Sequence, residues 1–150
     1  MYCDSLTLAA VASELRLLLL GGRVQEVLAV DRWAIGLEVY APSPSTAPET
    51  DSESAEPRAA GHRHYLLISA DPSEGGRIHL VSHKLRRGQD TPSPLLLRLR
   101  KSVEGTRLSQ VSQPPHERIV HLTFSGPDAA LTLIVEAMGR LCNILLVEED

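Results

Sequence analysis

Six histidines are the first residues of this 150-residue chain that could carry chemistry. His62 and His64 flank one residue, and His79 and His83 stand four apart. Structural and catalytic metal sites need Cys/His sets at short turn spacings or His-Glu-x-x-His on a helix. Neither pattern occurs, and His79 and His83 fall on no predicted helix, so the expectation is no metal and no cofactor. His79 and His121 are expected to face outward from strands. Walker and dinucleotide glycine loops are absent, as is Gly-x-Ser-x-Gly, and no Ser/His/Asp set can be assembled. These residues do not indicate an enzyme.

Charge offers a different chemistry. Glu117 and Arg118 follow Pro114-Pro115-His116, and neighbours in a strand point to opposite faces, so the two cannot simply pair with each other. One reading is a strand-end charge beside a turn. The other is a Pro-Pro turn that holds both for an external partner, with Arg118 reaching a phosphate or base edge. Asp4 reads either as a plain helix cap or as a cap that also makes a contact. Between Arg77 and Arg118 nine basic residues stand against Asp90, Glu104 and Glu117, a net of +6, although the whole chain carries −4. A surface polarised in this way can attract a phosphate backbone despite an acidic total. Ordinary solvated helix and loop charge is the competing reading.

The elements that must position these residues follow from periodicity. Asp4 or Ser5 caps a helix whose apolar positions Leu8, Val11, Ala12, Leu15, Leu18 and Leu19 recur at helical spacing. Gly21-Gly22 ends it, because glycine takes the left-handed conformation without steric cost. Strands are predicted over 23–30 and 33–40, with Trp33, Ile35, Leu37 and Val39 on one face, and then over 65–69 and 77–81. Pro92 and Pro94 open a second helix with Leu95, Leu96, Leu99 and Val103 inward and Arg98 and Lys101 directed elsewhere. Gly105 stops it. The last strands are predicted at 107–112, 118–124, 130–136 and 143–147, the final two hinged at Met138-Gly139-Arg140, where glycine permits a bulge or tight bend. The role of Arg140 stays open.

Residues 41–61 break the pattern: proline, serine, alanine and acid dominate, without apolar periodicity. The segment reads as a disordered hairpin insertion. Around it the pattern occurs twice. Gly21-Gly22-Arg23 matches Gly105-Thr106-Arg107, and Tyr65 to Val81 lies over Leu131 to Val147, with Gly76-Arg77-Ile78 set on Gly139-Arg140-Leu141. A period of roughly 80 residues is too long for a solenoid. It predicts two halves sharing one core: an α+β domain, a two-sheet β-sandwich of about eight strands with two flanking helices, internally duplicated.

At 43% hydrophobic and 3% aromatic residues, the core must be aliphatic. Cys3 and Cys142 are isolated, Met1 to Asp4 has no basic leader, and the Leu17 to Leu20 run is too short for a signal or a membrane span. A cytoplasmic setting without membrane partners is expected. The chain stops directly after its last strand, which suggests a module of something longer.

Several pieces, quoted as they stand, resemble the NFACT family, the bacterial RqcH-type proteins historically called fibronectin-binding protein A. They are Asp4, Glu14-Leu15, Gly21-Gly22-Arg23, Ser69 with Pro72-Ser73, Arg77-Ile78-His79-Leu80, Leu99-Arg100-Lys101, Glu104-Gly105, Arg118-Ile119 and Glu136-x-Met138-Gly139-Arg140-x-x-Asn143-Ile144. The resemblance spans 1–150 apart from the insertion. It implies the fold of an NFACT N-terminal domain, similar to the N-terminal domain of formamidopyrimidine-DNA glycosylases. It also implies a ribosome quality-control factor that binds stalled large ribosomal subunits carrying peptidyl-tRNA and recruits alanyl-tRNA for untemplated C-terminal tailing. Chemistry would stay with the ribosome, and the expected partners are the large ribosomal subunit, tRNA and the remaining domains of the parent protein.

Carried over by position, the family's functional acid falls on Asp4 and its Asp-Arg pair on Glu117-Arg118. Glu in place of Asp keeps the charge one methylene further out. Arg98, Lys101 and Arg140 complete the expected RNA-binding set. The helical hairpin, coiled coil and C-terminal RNA-binding region of a full-length member are missing from these residues. Two alternatives come from other classes. A fibronectin-binding surface adhesin would need export signals that the sequence lacks. A glycosylase-like DNA-binding protein would need an N-terminal proline amine, and position 2 is Tyr2.

Overall fold

The computed structural model describes residues 4–42, 61–88, 93–126, 129–138 and 141–149. Positions 43–60 of the expected insertion, and Gly139 with Arg140, lie outside them. Helix α1 (Ser5–Leu19) is followed by β1 (Arg23–Ala29), β2 (Ala34–Pro42), β3 (Gly61–Ser69) and β4 (Arg77–Val81). The second half repeats this as α2 (Pro94–Ser102), β5 (Arg107–Ser112), β6 (Ile119–Ser125), β7 (Ala130–Glu136) and β8 (Asn143–Glu149).

Helix α1 starts where its cap predicts, and α2 starts where its prolines do. Asp4 Oδ1 accepts from the Thr7 N–H at 2.7 Å, and Ser93 Oγ accepts from the Leu96 N–H at 3.2 Å with Pro94 next in line. Gly21 and Gly105 then take φ of +79° and +85°, the left-handed geometry that ends both helices. The inner faces are Leu8, Ala12, Leu15 and Leu19 on α1 and Leu96 and Leu99 on α2, with Val103 beyond it, all buried.

The two-sheet expectation needs correcting. All eight strands form one antiparallel sheet in the order β4-β3-β2-β1-β5-β6-β7-β8. The halves join at β1 and β5, where Arg23 lies opposite Arg107. The seam is short: Gly21 N–H donates to Leu108 O, Leu108 N–H to Gly22 O, Val24 N–H to Thr106 O, and Gly105 N–H to Val24 O, all at 2.8–2.9 Å. Two separate sheets would leave these backbone groups on two open edges, and pairing satisfies them at once. Close approach here depends on Gly22, where a Cβ would fall 2.7 Å from Val39 Cγ1 and 2.8 Å from Leu19 O.

The sheet then curls. A Cβ on Gly76 would stand 2.7 Å from Cys142 Cβ and 2.9 Å from Ala137 Cα, so the approach to β4 touches the β7–β8 connection of the other half. Both halves thereby close over one core that runs through both helices and the inner faces of β1 to β7.

Beyond the seam β1 and β5 diverge, and side chains take over. Arg100 Nε of α2 donates to Val27 O on β1 at 3.2 Å, and Glu104 Oε1 accepts from the Val27 N–H at 3.0 Å. Crosswise, Arg16 Nε of α1 donates to Val111 O on β5 at 2.8 Å. Each half's helix therefore ties down the other half's first strand.

Three further expectations change. β3 begins at Gly61, four residues before the predicted strand, and pairs residue for residue with β2, so His62 and His64 are strand residues opposite Ala41 and Val39. β2 is buried on both faces from Ala34 to Val39, while Trp33 precedes it and is 42% exposed. Pairing sets Arg77 opposite Ser69 and Asn143 opposite Glu136, so the counterpart of Arg77 is Asn143 rather than Arg140.

Candidate nucleic-acid interface

At the N-terminus of α1, Asp4 is exposed with its carboxylate on the Thr7 amide. That hydrogen bond holds its carboxyl below the ordinary 3.8; the Thr7 hydroxyl adds to the effect, and the Arg118 guanidinium gives a smaller push the same way. Gln113, at the end of β5, connects this end to the next loop. Its Nε2 donates to Ser5 O at 3.0 Å and to Glu117 O at 2.9 Å. The loop itself is a tight turn, with the Glu117 N–H on Pro114 O at 3.2 Å and His116 at φ +61°.

Arg118 O accepts from the Ala137 N–H at 2.8 Å, which fixes the residue just before β6 starts at Ile119. Arg118 is thus not yet in a strand, and the turn rather than strand alternation separates it from Glu117. Asp4 and Glu117 are exposed and Arg118 is half-buried. Among the described residues neither Glu117 nor Arg118 forms an ion pair. An acid, an arginine and a second acid thus share one corner of the surface, in which the guanidinium suits a phosphate or base edge and the carboxylates suit only donors such as base amino groups.

The other expected residues lie elsewhere. Arg98 and Lys101 are exposed on α2, but Arg98 forms an ion pair with Glu148 on β8. Glu148 sits opposite Leu131, which sits opposite Phe124, whereas the corner adjoins Ile119. Five strand residues, about 17 Å, separate the two levels. Arg140 lies outside the described residues. The basic run is also less open than its count implies. Arg77 pairs with Glu74, Arg87 with Glu26, and Arg100 and Arg107 are spent on backbone carbonyls.

One feature carried no clear signal in the sequence. A cavity of about 360 Å³ opens where the 31–33 turn, the end of β3, the start of α2 and the start of β8 meet. Its rim holds Asp31, Arg32, Trp33, Ser93, Cys142 and Asn143. By alternation Trp33 belongs on a strand face, and only the turn geometry puts it at this rim. Among the described residues no three His, Cys, Asp or Glu side chains converge as metal ligands, and no helix is long and apolar enough to cross a membrane.

The molecule is thus an internally duplicated α+β domain with a charged corner at its surface. Comparison supplies the family. Residues 48–150 match the model of the NFACT N-terminal and middle domains, and the chain belongs to that family. It is 30% identical over 155 aligned residues to the "Rqc2 homolog RqcH" of Streptococcus pneumoniae serotype 2 (strain D39) and 29% identical to that of Streptococcus suis (strain 05ZYH33). In both cases the match spans this whole chain and only 24% of the relative. The fold is similar to the N-terminal domain of the fibronectin-binding protein PavA from Streptococcus pneumoniae, with a TM-score of 0.78 at 29% identity over 98% of this chain and 50% of that one. The N-terminal part of the fibronectin/fibrinogen-binding protein from Streptococcus suis superposes equally, with a TM-score of 0.78 at 28% identity over 98% and 49%.

Proposed function

We propose that this domain is the RNA-contacting module of a ribosome quality-control factor of the cytoplasm. In this reading it helps the parent protein bind a stalled large ribosomal subunit that still carries peptidyl-tRNA, and helps recruit alanyl-tRNA for untemplated C-terminal tailing. The observation that carries it is the gathering of Asp4, Glu117 and Arg118 at one exposed corner, the positions where the family's functional residues fall. Family membership and the RqcH relatives support it. The domain's part is binding; bond formation belongs to the ribosomal peptidyl-transferase centre.

Titration of labelled tRNA at several salt concentrations tests the reading. Affinity falls linearly on a log–log plot, and Arg118→Ala weakens binding and lowers the slope by about one. Binding indifferent to both salt and Arg118 sinks it. The names of the solved relatives favour a second reading, fibronectin binding. Saturable fibronectin capture by a chain that takes up no tRNA would select that one.

A further inference from the structure

The cavity beside Trp33 is built in a way that the corner alone does not explain. Trp33 is the only tryptophan in the chain and stays 42% exposed in a protein whose core is almost wholly aliphatic. Its backbone is nonetheless held on both sides: the Trp33 N–H donates to Asp31 Oδ1 at 2.8 Å, and Trp33 O accepts from the Ala70 N–H at 2.9 Å. A mobile loop would not need that restraint, and a core residue would not be left at a rim. Arg32 lies over the indole with its guanidinium carbon 5.1 Å from the ring centroid, and it forms no ion pair among the described residues. The pair is a cationic stacking surface, on a restrained backbone, at the mouth of a cleft lined by Ala34, Ile35, Leu96 and Ile144.

Location ties the cleft to the corner. Asn143 on its rim pairs with Glu136, and Glu136 pairs with Ile119, the residue after Arg118. The Asn143 side of the cleft therefore lies at the same end of the second half as Ile119, two strands away, or about 10 Å across the sheet. A volume of about 360 Å³ is at the small end of ligand pockets, enough for one base with part of its sugar.

We propose that this cleft takes one unpaired base of the RNA strand that crosses the Asp4, Glu117 and Arg118 corner, stacked on the Trp33–Arg32 surface. The inference rests on the RNA-binding reading above and adds the subsite that reading lacks. Stacking on an aromatic with an arginine alongside suits any base, so the site selects for single-strandedness rather than sequence. The arginine also brings positive charge to the strand's phosphates, which a cleft meant for an apolar peptide side chain would not need.

The lone indole reports on its own site. Its fluorescence, excited at the red edge of its absorption where bases do not absorb, is titrated with hexa-adenylate, hexa-uridylate and a short RNA duplex. Saturable quenching by both single strands and little by the duplex is the expected result. In parallel, labelled tRNA binding is compared for the wild type, Trp33→Ala, Trp33→Phe and Arg118→Ala, each checked for an unchanged circular dichroism spectrum. Trp33→Ala weakens tRNA binding by about 5- to 100-fold, and Trp33→Phe recovers part of the loss. Wild-type and Trp33→Ala chains that bind tRNA equally overturn the cleft while leaving the corner standing. Absence of any tRNA binding by the wild type removes the RNA reading and the cleft with it. Quenching by an apolar peptide but by neither oligonucleotide also overturns it.

Discussion

The two halves are copies on the inside and different on the outside. Inside, they repeat down to the irregularities. β1 and β2 slip register between Val24 and Glu26, and β5 and β6 slip at the equivalent place, between Leu108 and Gln110. Arg16 and Arg100, 84 positions apart, reach the equivalent carbonyls of Val111 and Val27 across the molecule. Outside, the first half is covered. The segment after β4 lays Leu85 against Leu28, Ala34 and Leu67, anchored by the Gly88 N–H on Ala29 O at 2.6 Å and by Arg87 on Glu26 at 2.7 Å. Gly36 makes room, since a Cβ there would fall 2.7 Å from Leu85 Cδ1. In the second half His121 occupies the position of Gly36, Thr123 and Thr132 share a hydroxyl contact at 3.3 Å, and Leu145 and Val147 stay 39% and 45% exposed. Packing a shared core constrains both inner faces together. Each outer face answers only to whatever lies on it.

Covering should therefore matter in one half alone. Leu85→Ala is expected to cost about 2–3 kcal/mol in a denaturant titration, by lost burial plus a residual cavity, whereas Leu145→Ala on the open face costs under about 1 kcal/mol. Equal costs would erase the distinction. Gly36→His, which copies the second half's residue into the first, is expected to lift the Leu85 segment, read as faster amide exchange over 82–88 with β6 and β7 unchanged.

The shared inside is tested by the crosswise arginines. Arg16→Ala and Arg100→Ala each withdraw a charged donor from a part-buried carbonyl and are expected to lower stability by similar amounts, about 1–2 kcal/mol. A large inequality would show that the duplication is not energetic. The smallest effect belongs to the helix caps. The Asp4 carboxyl is held below 3.8 in the folded chain, so its contribution is present above that pH and fades as pH falls through the lowered folded value. Thermal melts of wild type and Asp4→Asn should differ slightly at neutral pH and converge in acid, since asparagine keeps the cap without the charge.

The pieces legible in the chain were those set by local chemistry. The cap at Asp4, the prolines at the entry to α2, left-handed glycines at 21 and 105, and strand periods marked nearly every element within a few residues. Misreadings came where a partner from far along the chain intervened. Trp33 matched a strand alternation, yet the Asp31 side chain turned it into the loop. β2 reads as half-buried until Leu85, about fifty residues later, covers its second face.

The candidate site divides the same way. The types of Asp4, Glu117 and Arg118 were in the sequence, together with the turn that presents the last two. Their meeting at one corner depends on Gln113 spanning from Glu117 to Ser5, a contact over 108 positions. Arg98 looked equally available and is instead paired with Glu148. Sequence by itself determined the elements, their duplication and the family, because backbone preference and apolar period act over a few residues. Tertiary structure alone decided that two predicted sheets are one, which charges stand together and which are already spent, and that a lone tryptophan borders a cavity. Those outcomes depend on which distant backbone edges and side chains pair, and no local preference encodes that choice.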